Sequence, residues 1–397
     1  MSLNIAIAGG GIGGLAAAAF LLRAGFEVTV YEQAAVLAEV GAGVVMSPNA
    51  VRLMRRLGAL PAFLNRAVAI ERGWEFRRWQ DGRVLSSEDM SRCCGLYGER
   101  AYFIHRADLL EAIRRCVPHD RIRLAARGVG VEAAGERVVL HLADGSRGEA
   151  DVLIGADGVH SVVRGAITTQ EPAQYSGLCA FRALVPAQAA PAFARAPVHT
   201  LWLGPGHHLV HYPVSAGEKI NIVAFAPAGN FREESWSSFA SVAEFAAEFE
   251  GWDQRLQDLI ARAERPGRWA LLDRPPLATW SRGRITLLGD AAHPMFPFYA
   301  QGAAQAIEDA AALAICLLAT PEDPAHALDV YQRLRMPRAG QIQALSHARK
   351  DINHLADGPQ QRDRDAELAR ADALVRSGWI YGYDVEAAAR EAVAKPQ

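Results

Sequence analysis

The feature that most constrains this chain is a glycine pattern near its start, Gly9-x-Gly11-x-x-Gly14, lying between an apolar run and a small-residue helical pattern. Residues 4–8 read as a short buried strand. Leu15 to Ala24 read as a helix that Gly25 ends, and residues 27–32 as a second strand. That is a βαβ unit. Its glycines let the backbone turn tightly and approach a pyrophosphate, and the helix start offers amide donors and a positive dipole end. Glu32, at the tip of the second strand, is placed to accept ribose hydroxyls. In that context the pattern predicts a dinucleotide site. The glycines alone would fit any tight turn.

Composition narrows the partners. The chain has 397 residues, enough for two or three domains or one large α/β domain with insertions. Half the residues are hydrophobic and 22% are charged, as in globular proteins. A net charge of −2 argues against nucleic acid or an anionic membrane as partner. No run reaches the ~18 uncharged apolar residues of a membrane span. Cys93, Cys94, Cys116, Cys179 and Cys316 form an odd, scattered set that suits reduced thiols in a cytosol. The adjacent Cys93 and Cys94 lack the spacing of a metal site, so none is expected.

Further along, residues 36–46 read as a loop containing Gly41 and Gly43, and Pro48-Asn49 opens a helix ended near Gly58. Strand patterns recur at 74–77 and 101–104, followed by a helix from Arg106 to Cys116. Residues 122–154 read as a meander with a hairpin at Ala143-Asp144-Gly145. Residues 175–280 change character, with strand patterns at 201–203, 209–212 and 220–223 and a helix pair at 241–264. Residues 284–288 return to a buried strand. Helices follow at 302–318 and 322–352, and 386–397 are expected to fray. The predicted fold is α/β: a nucleotide-binding domain (1–174, resumed at 281–397 with C-terminal helices) holding an inserted mixed β-sheet domain (175–280).

Two more motifs sit at strand ends. Asp157-Gly158 runs on to Arg164, and alone would be an ordinary capped turn. Gly289-Asp290-Ala291-Ala292-His293-Pro294 ends a strand before Gln301-Gly302 opens the next helix. Asp290 can hold a ribose or ribityl hydroxyl, and the amides at Gly302 and Ala303 suit a ring that carries negative charge. With Ile104-His105-Arg106-Ala107-Asp108-Leu109, Gln301-Gly302 through Ala310, and Trp379 to Asp384, the chain resembles the single-component flavin-dependent aromatic hydroxylases, the group of salicylate, 3-hydroxybenzoate and 6-hydroxynicotinate hydroxylases.

The resemblance, which runs from Ile5 to about Asp384, implies a Rossmann-like FAD-binding domain with non-covalent FAD. Gly11, Gly13 and Gly14 would line the pyrophosphate, and Glu32 and Gln33 the adenosine ribose. Arg106, Asp157, Asp290, Gly302, Ala303 and Val45 would contact the cofactor elsewhere. NADH or NADPH would be the reductant, with no separate nicotinamide domain. The implied reaction hydroxylates a phenol-like aromatic, an aromatic acid, with O₂ through a peroxide at flavin C4a, in a chamber that excludes water. A cytoplasmic homodimer is the family expectation.

Substrate contacts are less constrained. Strand alternation places His207, Leu209 and His211 on one face and His208, Val210 and Tyr212 on the other. By resemblance this strand carries the groups that bind or deprotonate substrate. His211 is the expected base or proton relay, with His207 and Tyr212 next; packed strand histidines are the plain alternative. The residues 41–46 and the stretch after Pro294 should flank the flavin ring, which makes Met46, Pro294 and Phe298 candidate substrate contacts. The 6-hydroxynicotinate enzymes have histidines where this chain has Val45 and Phe298, so this pocket is more apolar and a pyridine carboxylate fits it less well. Phe298 equally suits core packing. Arg182 suits either a substrate carboxylate or a structural ion pair. Glu308-Asp309 reads as a structural hydrogen-bonding pair whose carboxylates point to different faces, and 361–370 as a solvated helix face. Hydroxylation of an N-heterocyclic or polycyclic metabolite, or flavin binding without turnover, are the competing functions.

Overall fold

The first strand, Asn4–Ala8, is covered on both sides, and the structure grows outward from it. A computed structural model describes residues 3–37, 42–169, 173–231 and 238–395. Asn4–Ala8 pairs in parallel with Glu27–Tyr31 and with Val152–Gly155, which pairs with Ile285–Leu287. Ile122–Arg123 and the antiparallel Ser281–Arg282 complete six strands. Parallel strands buried on both faces need apolar residues at every position, and these strands read that way.

Helix Ile12–Arg23 starts at Gly11 and is buried along most of its length. Two of its glycines are there for packing. A side chain on Gly14 would lie 2.0 Å from the carbonyl of Gly9, and one on Gly13 would lie 2.7 Å from Leu288. The helix packs on Gly302–Ala319, whose alanines permit the close approach. Gly302–Ala319 is long and apolar enough to cross a membrane, but most of it is buried inside the protein.

The second layer is a seven-stranded sheet in the order Glu264–Asp273, Gln174–Pro186, Lys219–Pro227, His207–Val214, Val198–Gly204, Arg72–Arg78, Val84–Asp89. It is therefore not confined to 175–280, because two of its strands come from the first part of the chain. Its outer face is covered by helices Val242–Glu248 and Gln254–Ile260 through Phe245, Phe249 and Leu256. Its inner face looks toward the nucleotide domain.

Several local expectations change. Gly43–Met46 is a strand paired with Tyr102–His105, not loop. Gly41 lies outside the described residues. Val385–Ala394 is a capped helix with Val385 and Ala389 buried, so packing holds this end up to residue 395. In Pro359–Arg370 the residues Arg362, Asp363, Glu367 and Arg370 form the expected solvated face, while Gln361, Arg364 and Asp365 on the other side are buried.

The adjacent Glu308 and Asp309 do not diverge. Both are fully buried, and both meet Arg335, whose Nη1 donates to Glu308 Oε2 at 2.7 Å and whose Nε donates to Asp309 Oδ1 at 2.8 Å. Arg338 adds two bonds to Glu308. Burial pushes the Asp309 carboxyl up, but His293 and Arg335 outweigh it and hold the pKa at about 2. Its contribution to stability is thus complete above the ordinary aspartate range and is lost as pH falls through about 2. Arg335→Ala leaves two buried carboxylates under-paired and should cost about 3–5 kcal/mol in urea unfolding. Arg115→Ala, at an exposed pair with Glu111, should cost less than about 1 kcal/mol.

Candidate active site

The candidate site forms where the parallel strands end, at the edge where open α/β sheets bind ligands. Gly9 leaves the first strand with φ +103°, and a side chain there would lie 2.3 Å from the Ala156 carbonyl. Gly11 and Gly302, by contrast, face open space. They begin the two helices that meet at this edge. Glu32 spans the glycine loop, with Oε2 accepting from Gly10 N at 2.6 Å and Oε1 from Ala34 N at 2.8 Å. Gln33 beside it is exposed.

Asp157 caps the turn that follows its strand. Its Oδ2 accepts from Val162 N (2.8 Å) and Val163 N (3.2 Å), while its buried Oδ1 has no partner among the described residues. Buried Arg164 joins this turn to the third motif by donating to the carbonyls of Ala291 (2.7 Å) and Asp290 (3.0 Å), which leaves the Asp290 carboxylate exposed. Arg106 starts helix Arg106–Arg114, and its amide donates to the Ala42 carbonyl at 2.9 Å. An open cradle at Gly11 and Gly302, an unused buried acceptor on Asp157 and an exposed carboxylate at Asp290 fit FAD. Glu32 and Gln33 would hold its adenosine end, Gly11 and Asp290 its phosphates and ribityl chain, and Arg106, Val45, Gly302 and Ala303 the flavin side. Gly13 and Gly14 are held to glycine by packing as well, since a side chain on either would meet Leu288 or the Gly9 carbonyl.

Beside this cleft, the inner face of the seven-stranded sheet carries His208, Val210 and Tyr212 on the strand His207–Val214. Val210 and Tyr212 share a cluster with Val45, Phe103 and Tyr299. Tyr212 stacks on Phe103 at 4.5 Å and backs directly onto Gly43, where a side chain would lie 2.5 Å from its ring. Burial raises its phenol far above the usual range, so it stays protonated. His208 stacks on Phe225 (4.5 Å) and shares a 2.6 Å hydrogen bond between its Nδ1 and His354 Nε2. Half-buried Arg182 lies on the same face two strands away, with its guanidinium 4.4 Å over the Trp269 ring. Pro294 is half-buried at the cleft, and Phe298 packs on His208 and Phe225, which makes it part of the aromatic wall.

Three candidates are corrected. His211 projects from the outer face into the cluster around Trp202 and Phe193, and neither ring nitrogen has a partner among the described residues. Burial pushes its pKa down to about 3, so it is a neutral core residue. His207 is also on the outer side, between Phe249 and Trp252, with Nδ1 2.8 Å from the Pro205 carbonyl and Nε2 3.5 Å from Glu248. Met46 is fully buried in the nucleotide-domain core, while its neighbour Val45 faces the sheet. Sequence reasoning separated the two faces and put its first two choices, His211 and His207, on the face that packs against the helix pair, while its third, Tyr212, lies on the inner face. The inner face also carries His208, Trp269 and His199, whose ring lies 5.5 Å from that of Tyr212. The signal that decides between the faces is the apolar stripe Phe245, Phe249, Leu256 of the helix pair, which needs the Trp202–Leu209 face as its partner.

His211→Leu should therefore leave turnover intact and stabilise the fold by about 1 kcal/mol, because it replaces an unsatisfied buried imidazole. An equilibrium unfolding curve and a steady-state assay check both halves. Asp290→Ala should lower the flavin content of the purified protein, read as the ratio of flavin to protein absorbance.

The chain matches the family model described as FAD binding domain over residues 2–346. It is 42% identical to 3-amino-4-hydroxybenzoate 2-monooxygenase of Streptomyces platensis, covering 96% of each chain. It is 36% identical to 6-hydroxynicotinate 3-monooxygenase of Bordetella bronchiseptica, covering 97% of this chain and 96% of the relative. A salicylate hydroxylase solved as a substrate complex superimposes with a TM-score of 0.83 at 29% identity, covering 100% of this chain and 99% of the other. With the cleft and its glycines in place, the chain belongs to the FAD-binding family of flavoprotein monooxygenases that act on aromatic compounds, and is itself an FAD-dependent monooxygenase.

Proposed function

We propose that this enzyme hydroxylates a hydroxybenzoate, a phenol that also carries a carboxylate, using O₂ and NADH or NADPH, in the cytoplasm. The observation that carries the reading is the inner face of the strand His207–Val214. His208 and Tyr212 stand four residues apart, about 13 Å along an extended strand, with Val210 as the floor between them. A single benzene ring with its substituents fits that interval.

FAD, when bound, supplies the reduced ring that activates O₂ for transfer of one oxygen atom. The chain's own residues prepare the substrate. Nδ1 of His208 is committed to His354, which leaves Nε2 to accept the phenol proton. Withdrawing that proton raises ring electron density and makes the ring a better nucleophile. Tyr212 stays protonated and donates a hydrogen bond at the other end. Arg182 offers a cation to the carboxylate, held in orientation by Trp269. Phe103, Phe225, Phe298 and Val45 keep water away from the reacting ring.

The apolar Val45 and Phe298 favour a benzene ring over a pyridine. The names of the relatives support the class, since each cited relative acts on an aromatic acid. The test is a panel of 3-amino-4-hydroxybenzoate, 3-hydroxybenzoate, salicylate and 6-hydroxynicotinate. Each is scored for accelerated reduction of the bound flavin by NADH and for a product with one added oxygen. The reading predicts acceleration and product with a hydroxybenzoate. Product only from the pyridine acid, or NADH oxidation indifferent to every aromatic, contradicts it. His208→Gln should lower coupled hydroxylation by about 10²-fold. Arg182→Ala should raise KM by about tenfold while changing kcat less.

A further inference from the structure

The bond between His208 and His354 orients His208 and also leads outward from the chamber wall. His354 is the residue that ends the long helix Pro324–Asn353. Its side chain meets His208 at 2.6 Å, and its carbonyl accepts from Gly206 N at 3.0 Å, so it is fixed to the beginning of the inner-face strand twice. His208 is 1% exposed, whereas His354 is half-buried and followed by exposed Ala356 and Asp357. The pair thus runs from the chamber wall to the surface.

We propose that His354 is the outer half of a proton relay that carries the substrate's phenolic proton to solvent. The phenol O–H bond breaks as a proton bonds to His208 Nε2. The Nδ1–H of His208 passes to Nε2 of His354, and the Nδ1–H of His354 is released to water. No electrons change hands. Each imidazole ends neutral in its other tautomer, and the same path run backwards restores both when a neutral phenol leaves.

The surroundings favour transit over storage. Burial, in an aromatic setting of Phe225 and Phe298, disfavours charge on His208, and the nearby His354, Arg349 and His207 act in the same direction. Burial, with His207 and Lys350, holds His354 down at about 4. The strand Lys219–Pro227 and the segment carrying Phe298 bring phenylalanine rings against His208. A proton taken in at one end is therefore expelled at the other at neutral pH. A purely structural bond would fix the His208 ring but carry no flux.

The inference rests on the proposed binding of a phenolic acid on this face. The test mixes the FAD-loaded protein with 3-amino-4-hydroxybenzoate in weak buffer containing a pH-indicator dye and follows proton release by stopped flow. His354→Gln should keep its flavin and its affinity for the ligand but release the proton about tenfold more slowly or worse, and imidazole buffer should restore the rate. Release at the wild-type rate overturns the relay. On the wild-type protein, mixtures of H₂O and D₂O should give a curved proton inventory, as more than one proton moves in the same step. A linear inventory overturns the relay even if the variant fails to fold. If the wild type neither binds nor releases a proton with any acid of the panel, the phenolic-acid reading fails first and the relay with it.

Discussion

The placement of the site depends on one buried guanidinium. Arg335 sits between Glu308 and Asp309 with no exposed surface on any of the three. Such a cluster is expensive to form unless every member is satisfied. Here the remaining lone pairs are used on the loops around the cofactor cleft. Asp309 Oδ2 accepts from Gly289 N (3.0 Å) and meets His293 Nε2 (2.6 Å), which fixes the loop bearing Asp290. Glu308 Oε1 accepts from Asn49 Nδ2 at 2.7 Å, and Gln301 Nε2 donates to Ser47 Oγ at 2.9 Å. The strand with Val45 and the helix start at Gly302 are thereby referred to the same buried charges. Asp309 and Glu308 set the distance between the walls of the cleft.

A second tie joins the cleft to the sheet. Gly43 N donates to Asn221 Oδ1 at 2.7 Å, and Gly43 lies so close to Tyr212 that no side chain fits between them. The wall that carries Val45 is thus bonded to the same sheet face that presents Tyr212 and His208. The geometry between the cleft and this sheet face is then set by backbone and buried amides, which move less than exposed side chains. Arg349 closes the far end of this face beneath Trp74, Phe76 and Tyr299.

The nucleotide half was readable because its requirements are local. Gly9, Gly11 and Gly14 answer to a turn and a close helix crossing within a few residues, and the strand 4–8, the helix after it and Glu32 follow in order. Asp157 and Asp290 were readable as strand-end residues for the same reason. The substrate half depends on contacts between distant segments. Nothing near His211 reveals that Phe193 and Trp202 enclose it, and alternation alone gives two equivalent faces. The pairing of Arg72–Arg78 with Val198–Gly204 joins residues more than a hundred apart, so the inserted sheet looked self-contained. Glu308 and Asp309 were correctly read as structural. Their convergence needed a partner from the next helix, Arg335, which reaches both at once.

The central claim is that the face bearing His208 and Tyr212, not the one bearing His211, looks onto the flavin and receives the substrate ring. The most direct measurement is a crystal structure of the FAD-loaded protein with a bound hydroxybenzoate. The account predicts a ring resting on Val210, its hydroxyl toward His208 Nε2 and its carboxylate toward Arg182. Density for the ligand beside Trp202 and His211, or FAD lying away from Gly11 and Asp290, would contradict it.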